Sequence, residues 1–193
     1  MAEIAEEGRQ ALLVMDMQRA IVGFVEESEA LLERTRGAIA AARAAGLPVL
    51  FVVVRFRPGL PEISRRNLSF GRLAERGISL TDGDPAAEIH PDLDPEASDP
   101  VVVKLRVSAF AGSDLAVLLS AAEVDRLVLA GIATSGVMLS TVRQAADLDY
   151  RLTVLGDCCA DRDAEVHRIL LEKVLPTQAR IMDAAAWAGT LGP

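Results

Sequence analysis

Short, mainly apolar runs alternate along this chain with longer stretches in which apolar residues return every three or four positions. The runs are residues 11–15 (ALLVM), 48–54 (PVLFVVV), 101–103, 126–130, 152–155 and 179–182, and each reads as a strand, those at 11–15, 48–54 and 127–130 as buried ones. Between them, residues 28–45 place Leu31, Leu32, Thr35, Ile39 and Ala42 at helical spacing, stopped by Gly46 and Pro48. Residues 113–122 give a second helix, with Ser113 as candidate N-cap and Leu115, Leu118, Leu119 and Ala122 turned inward. Helices follow at 136–148 and at 163–174, the latter with Val166, Ile169, Leu170 and Val174 on one face, and a last helical turn or two at 184–188.

Strand and helix in strict alternation predict an α/β fold: a three-layer α/β/α, Rossmann-like single domain over 1–193, its parallel sheet built from about six strands. Ligands of such sheets bind outside the carboxyl ends of the strands. That singles out Asp16, Arg55, Lys104, the turn at 131–137 and Asp157. The exception to the alternation is 55–99, rich in Pro, Gly and Arg, with one weak helix at 70–76. Connections of that length serve as lids or interface arms.

Composition narrows the partners. The 193 residues are long enough for a substantial core, 51% of them hydrophobic but only 4% aromatic, which suits Ala-, Val- and Leu-rich parallel strands. A net charge of −8 argues against a nucleic-acid partner, because phosphate binding needs a basic stripe. The start, MAEIAEEGRQ, is acidic and polar, so no secretory signal is expected, and no apolar run approaches the roughly 20 residues of a membrane span. The reading is a soluble cytoplasmic protein that meets a small molecule, with no membrane partner. Cys158 and Cys159 are adjacent, so they form neither a disulfide framework nor a spaced metal site.

Two charged residues end apolar runs. Asp16, in LLVMDMQRA, is expected to be partly desolvated, which raises a carboxyl pKa and suits acid or base work; the plainer reading is a cap or an arginine partner. Lys104, in VVVKLRVSAF, is placed to hold an anion or an oxyanion, or simply to snorkel at the strand end. The third feature is the strand-to-helix turn AGIATSGVMLST after the fourth strand, where a helix start offers free N–H groups.

Together D-x-Q at Asp16 and Gln18, the run K-x-R-x-S-A-F-x-x-S-D-L from Lys104 to Leu115, and the turn with Gly131, Thr134 and Thr141 in register resemble the isochorismatase-like (cysteine hydrolase) superfamily over about residues 10–183. The resemblance implies that Asp16 is the acid/base, that Lys104 and backbone N–H groups near Gly136 hold developing charge, and that Val137 stands at the cysteine position. It places Gln18, Arg55, Val107, Phe110, Thr134 and Gly136 around the substrate, with Val107 giving a more apolar wall where many members carry Tyr. It also implies a cis peptide in the turn, expected at Ala133–Thr134, and a homodimer or homotetramer with the 55–99 arm at its interface.

Val137 cannot attack a carbonyl, so three readings stand. Water attacks, with Asp16 as acid/base, as in isochorismatases, whose cysteine position is also unreactive. Or another residue is the nucleophile: Cys158 or Cys159 after the fifth strand, Ser140, or Ser135, which is better explained as a helix N-cap. Or the pocket binds without hydrolysis. The zinc motif D-x-H of the nicotinamidase branch is replaced by RFRPGLPEIS, so no metal is expected; Arg55 and Arg57 are suited to a carboxylate or to solvent. His90, in a loop, and His167, on the polar side of a helix, read as structural or solvated. No G-x-G-x-x-G and no P-loop is present, and no cofactor is expected.

Overall fold

The computed structural model describes residues 8–75 and 80–192, without the side chains of Leu73 and Ala74. Arg76, the end of the weak helix read at 70–76, and most of the acidic start lie outside the described residues.

Six strands form one sheet: β1 (Arg9–Met15), β2 (Val49–Val54), β3 (Val101–Lys104), β4 (Val124–Ile132), β5 (Arg151–Ala160) and β6 (Arg180–Met182). All neighbours pair in parallel, in the order β3-β2-β1-β4-β5-β6. The order reverses direction between β1 and β4, and this switch point is where a doubly wound sheet opens a crevice. Residues of each central strand alternate between two cores, as a period of two demands. Leu13 and Met15 of β1 join Leu127 and Leu129 of β4 in one core; Leu12 and Val14 join Val128 and Ala130 in the other.

The first core is closed by α4 (Leu115–Ala121) and α5 (Leu139–Asp147), the second by α2 (Ser28–Ala44) and α7 (Ala184–Ala188), whose Trp187 is buried. A three-layer α/β/α arrangement results, as the alternation predicts. A helical turn α1 (Arg19–Val22) follows β1, and α6 (Ala164–Ile169) follows β5.

Three boundaries differ from the sequence reading for identifiable reasons. Strand β5 runs on to Ala160, so Asp157, Cys158 and Cys159 lie within it and not after it. Gly156 and Asp157 break its apolar run, but a bulge absorbs them: Leu129 pairs with Val154, and Gly131 then pairs with Cys159. Asp114, not Ser113, is the residue preceding α4; the Ser113 hydroxyl accepts from Leu115 N–H at 3.3 Å and donates to Ala109 O. The 55–99 segment is neither bare loop nor free arm. It carries α3 (Leu68–Glu75) and two 3-10 turns, and packs Phe56, Phe70, Leu80 and Ala87 with Val54 into a small core of its own.

Candidate active site at the carboxyl edge of the sheet

Asp16 is the first residue after β1. Its backbone takes the left-handed conformation (φ 56°), which Asp tolerates better than most residues, and its N–H donates to Val52 O. The chain thus turns off the sheet at the switch point with the carboxyl held over the strand ends. Lys104 ends β3. Its Nζ lies 3.0 Å from Asp16 Oδ2 and donates to Arg106 O at 2.9 Å. The Lys104 and Asp16 side chains are only 2% and 9% exposed. Asp16 Oδ1 is buried with no hydrogen-bond partner among the described residues. Burial raises the Asp16 pKa, opposed by the charge and the hydrogen bond of Lys104. The sheet therefore presents a carboxyl that holds its proton above the ordinary range, with one oxygen on the lysine and one uncommitted.

Gly131, opposite Met15 at the end of β4, makes this crowding possible. A Cβ there would lie 2.6 Å from Met15 O. The chain then passes a cis peptide at Ile132–Ala133, one bond earlier than the expected Ala133–Thr134, because β4 ends at Ile132 and Thr134 already opens the next turn. That turn, Thr134–Met138, is π-helical, kinked at Gly136 (φ −101°, ψ −105°). Gly136 N–H is taken by Ala133 O at 3.0 Å, so it is not a free anion donor as the sequence suggests. Val137 is buried in the first core beside the turn. Ser135 is exposed and does not cap; its N–H donates to Asp161 Oδ2 at 2.6 Å.

The remaining residues fall into two groups. Gln18 is fully buried: Nε2 donates to Val54 O and Ala87 O, and Oε1 accepts from Val54 N–H. Its amide thus ties β1 to β2 and to the 85–87 turn. Phe110 is buried against Tyr150 at 5.8 Å between rings, and Ala109 N–H donates to Thr141 Oγ1, which fixes the loop after β3 to α5. Val107 is half-buried against the small core of the 55–99 segment. Arg55 follows β2 and pairs with Glu88 (3.2 Å) and Asp82 (3.9 Å), while Arg57 pairs with Glu62. Both arginines are thus engaged by carboxylates of their own segment.

Both cysteines are buried, with free thiols. Burial, then the charge of Asp157, pushes the Cys158 thiol up to about 12. Cys159 is raised as well, by burial and then by Cys158, and its Sγ donates to Leu155 O. Sequence reasoning also missed the contact of His167. The His167 ring is turned to the strand-end turn, with Nδ1 2.8 Å from Thr134 Oγ1, and is not merely solvated. Its signal was its place four residues after Asp163, whose carboxylate caps α6. His90 stays in its loop, Nδ1 accepting from Asp92 N–H. Among the described residues no group of three or more His, Cys, Asp or Glu side chains is placed to hold a metal ion, and no helix is long and apolar enough to cross a membrane.

A buried Asp–Lys pair thus stands at the carboxyl edge of a parallel α/β/α sheet. The isochorismatase domain model matches residues 10–186, and the chain belongs to the isochorismatase family. It is 32% identical over 138 residues to the maleamate amidohydrolase of Pseudomonas putida, covering 72% of this chain and 63% of that protein's length. To the ureidoacrylate amidohydrolase RutB of Pseudomonas syringae pv. syringae it is 33% identical over 172 residues, covering 78% of this chain and 70% of the relative. An isochorismatase family protein from Burkholderia thailandensis superposes with a TM-score of 0.84 at 27% identity, over 94% of this chain and 95% of its own.

Proposed function

We propose that this protein hydrolyses a small, anionic metabolite with Asp16 as general acid/base and water as the attacking group. The observation that carries the reading is Asp16 Oδ1, buried and unpartnered beside an oxygen already held by Lys104. An uncommitted, desolvated acid oxygen is what proton transfer to a leaving group requires. In the reaction water adds to the substrate carbon, the bond from that carbon to the leaving atom breaks as Asp16 gives that atom its proton, and the proton lost by the water returns to Asp16. Lys104 spends two N–H bonds on Asp16 and Arg106 O, and its third is available to a substrate oxygen. Val137 offers no nucleophile, and the raised thiols of Cys158 and Cys159 do not supply one in its place. The amidohydrolase relatives, named for maleamate and ureidoacrylate, support an anionic substrate.

The test is a panel of small carboxylate-bearing amides, ureides and vinyl ethers assayed in ¹⁸O-labelled water. Turnover that incorporates the label, survives iodoacetamide and vanishes in Asp16→Asn supports the reading. Turnover lost on alkylation overturns water attack. Binding without turnover across the panel supports a non-hydrolytic binding protein of the same fold.

A further inference from the structure

The hydrogen bonds of Thr134 fix more than its own rotamer. Its hydroxyl has one proton and two close partners: Ala160 O at 3.1 Å and His167 Nδ1 at 2.8 Å. For both contacts to be hydrogen bonds the Thr134 O–H donates to Ala160, because a carbonyl oxygen brings no proton. The lone pair of the hydroxyl then faces His167, and only a protonated Nδ1 makes that contact attractive. One residue on, Ser135 N–H donates to Asp161 Oδ2. The turn is thus strapped from behind, at two successive residues, by the segment leaving β5.

We propose that His167 is a positioning residue for the strand-end turn, held as the Nδ1–H tautomer by Thr134 and holding in return the turn that sets Gly136 and Val137 beside the site. Thr134 is fully buried, so the pair is not a nucleophile with its base, although a hydroxyl against an imidazole resembles one. The ring is half-buried, and its burial lowers its pKa against the opposing charge of Asp161, which agrees with a neutral imidazole. Nδ1 being the donor, Nε2 is the ring's acceptor, and the ring lines a cavity of about 350 Å³ shared with Phe24, Arg34 and Arg162. The importance of this strap for turnover rests on the hydrolase reading; the tautomer and the order of the turn do not.

The experiment has two arms that need no substrate. Long-range ¹H–¹⁵N correlation at neutral pH on the full chain is expected to give His167 a proton-bearing Nδ1 and a bare Nε2, and Thr134→Val is expected to release that preference. A wild-type ring that carries its proton on Nε2, or a mixture unchanged by Thr134→Val, overturns the assignment. The second arm compares His167→Asn, whose amide N–H occupies the place of Nδ1–H, with His167→Phe, which has no donor. Hydrogen exchange at the Gly136 and Met138 amides, both bonded to Ala133 O, is expected to quicken about fivefold in His167→Phe and to stay near wild type in His167→Asn, the shift expected for one lost hydrogen bond. Equal exchange in the two variants overturns the positioning role. If both arms hold while no member of the substrate panel turns over, the hydrolase reading fails and this one stands.

Discussion

Lys104 Nζ and Asp16 Oδ2 are 3.0 Å apart, and neither side chain is more than 9% exposed. The pair joins two strands that are not neighbours, since β2 lies between β1 and β3. Removing the cation leaves the Asp16 carboxyl buried without its partner. Lys104→Met is expected to cost about 3–5 kcal/mol near neutral pH, the usual penalty for breaking a buried pair from one side. The sign of the pH dependence follows from the Asp16 pKa, which is raised in the folded protein. A carboxyl that binds its proton more tightly when folded favours folding below its unfolded pKa and loses that contribution as pH rises through the folded one. Lys104 restrains the rise, so its loss raises the Asp16 pKa further. The stability gap between wild type and Lys104→Met should therefore be smallest in acid and widen once pH climbs past the wild-type Asp16 pKa. Urea midpoints across a pH series measure it, and a gap that does not change with pH would count against a charged pair.

In the proposed reaction the same shift sets the rate profile. If Asp16 starts the reaction protonated, kcat/KM falls as pH rises through a pKa above the ordinary aspartate value of 3.8. Asp16→Asn should abolish that limb and lower turnover at least ~100-fold, within the range general acid–base catalysis supplies. A limb that persists in Asp16→Asn would assign the proton to another group.

Cys158 has a thiol pushed up to about 12, so its thiolate at pH 8 is on the order of one molecule in ten thousand. Both cysteines are buried. The native protein is expected to resist iodoacetamide under conditions in which the urea-unfolded chain takes up two equivalents, and a Cys158→Ala/Cys159→Ala variant is expected to keep its activity. Mass spectrometry after a timed pulse reads the first outcome. Rapid labelling of either native cysteine would contradict their burial.

Much of the candidate site's placement was legible because it is built at strand ends. Asp16 and Lys104 are charges that terminate apolar runs, and a parallel sheet delivers such residues to one edge whatever its helices do. Their mutual contact was not legible: it depends on the strand order, which brings β3 to within a lysine's reach of β1. Strand β5 was read short because Gly156 and Asp157 interrupt an apolar run, and only a bulge against β4 carries the strand on to Ala160. Ser135 looked like a cap because it precedes a helix, yet Asp161, from a segment distant in sequence, takes its N–H. Polar side chains choose partners by proximity in space, so Gln18, Arg55 and His167 were named from sequence while the bonds they make were not.

Gln18 separates binding from bracing. Both of its donors and its carbonyl oxygen are committed to the backbone of Val54 and Ala87, and the residue is fully buried. Gln18→Leu keeps a side chain of similar size but strands Val54 N–H, Val54 O and Ala87 O away from water. Each unsatisfied buried group costs about 1–3 kcal/mol, so a loss of at least about 2 kcal/mol is expected even after local relaxation. The 3-10 turn at Pro85–Ala87 should loosen as well, because Ala87 O loses its side-chain donor. Denaturant unfolding gives the stability, and hydrogen exchange at Ala87 and Val54 gives the location. A variant with wild-type stability and a raised KM would instead make Gln18 a substrate contact. A variant with lowered stability and an unchanged KM, measured well below its unfolding midpoint, makes it the brace that carries the 55–99 segment onto the edge of the sheet.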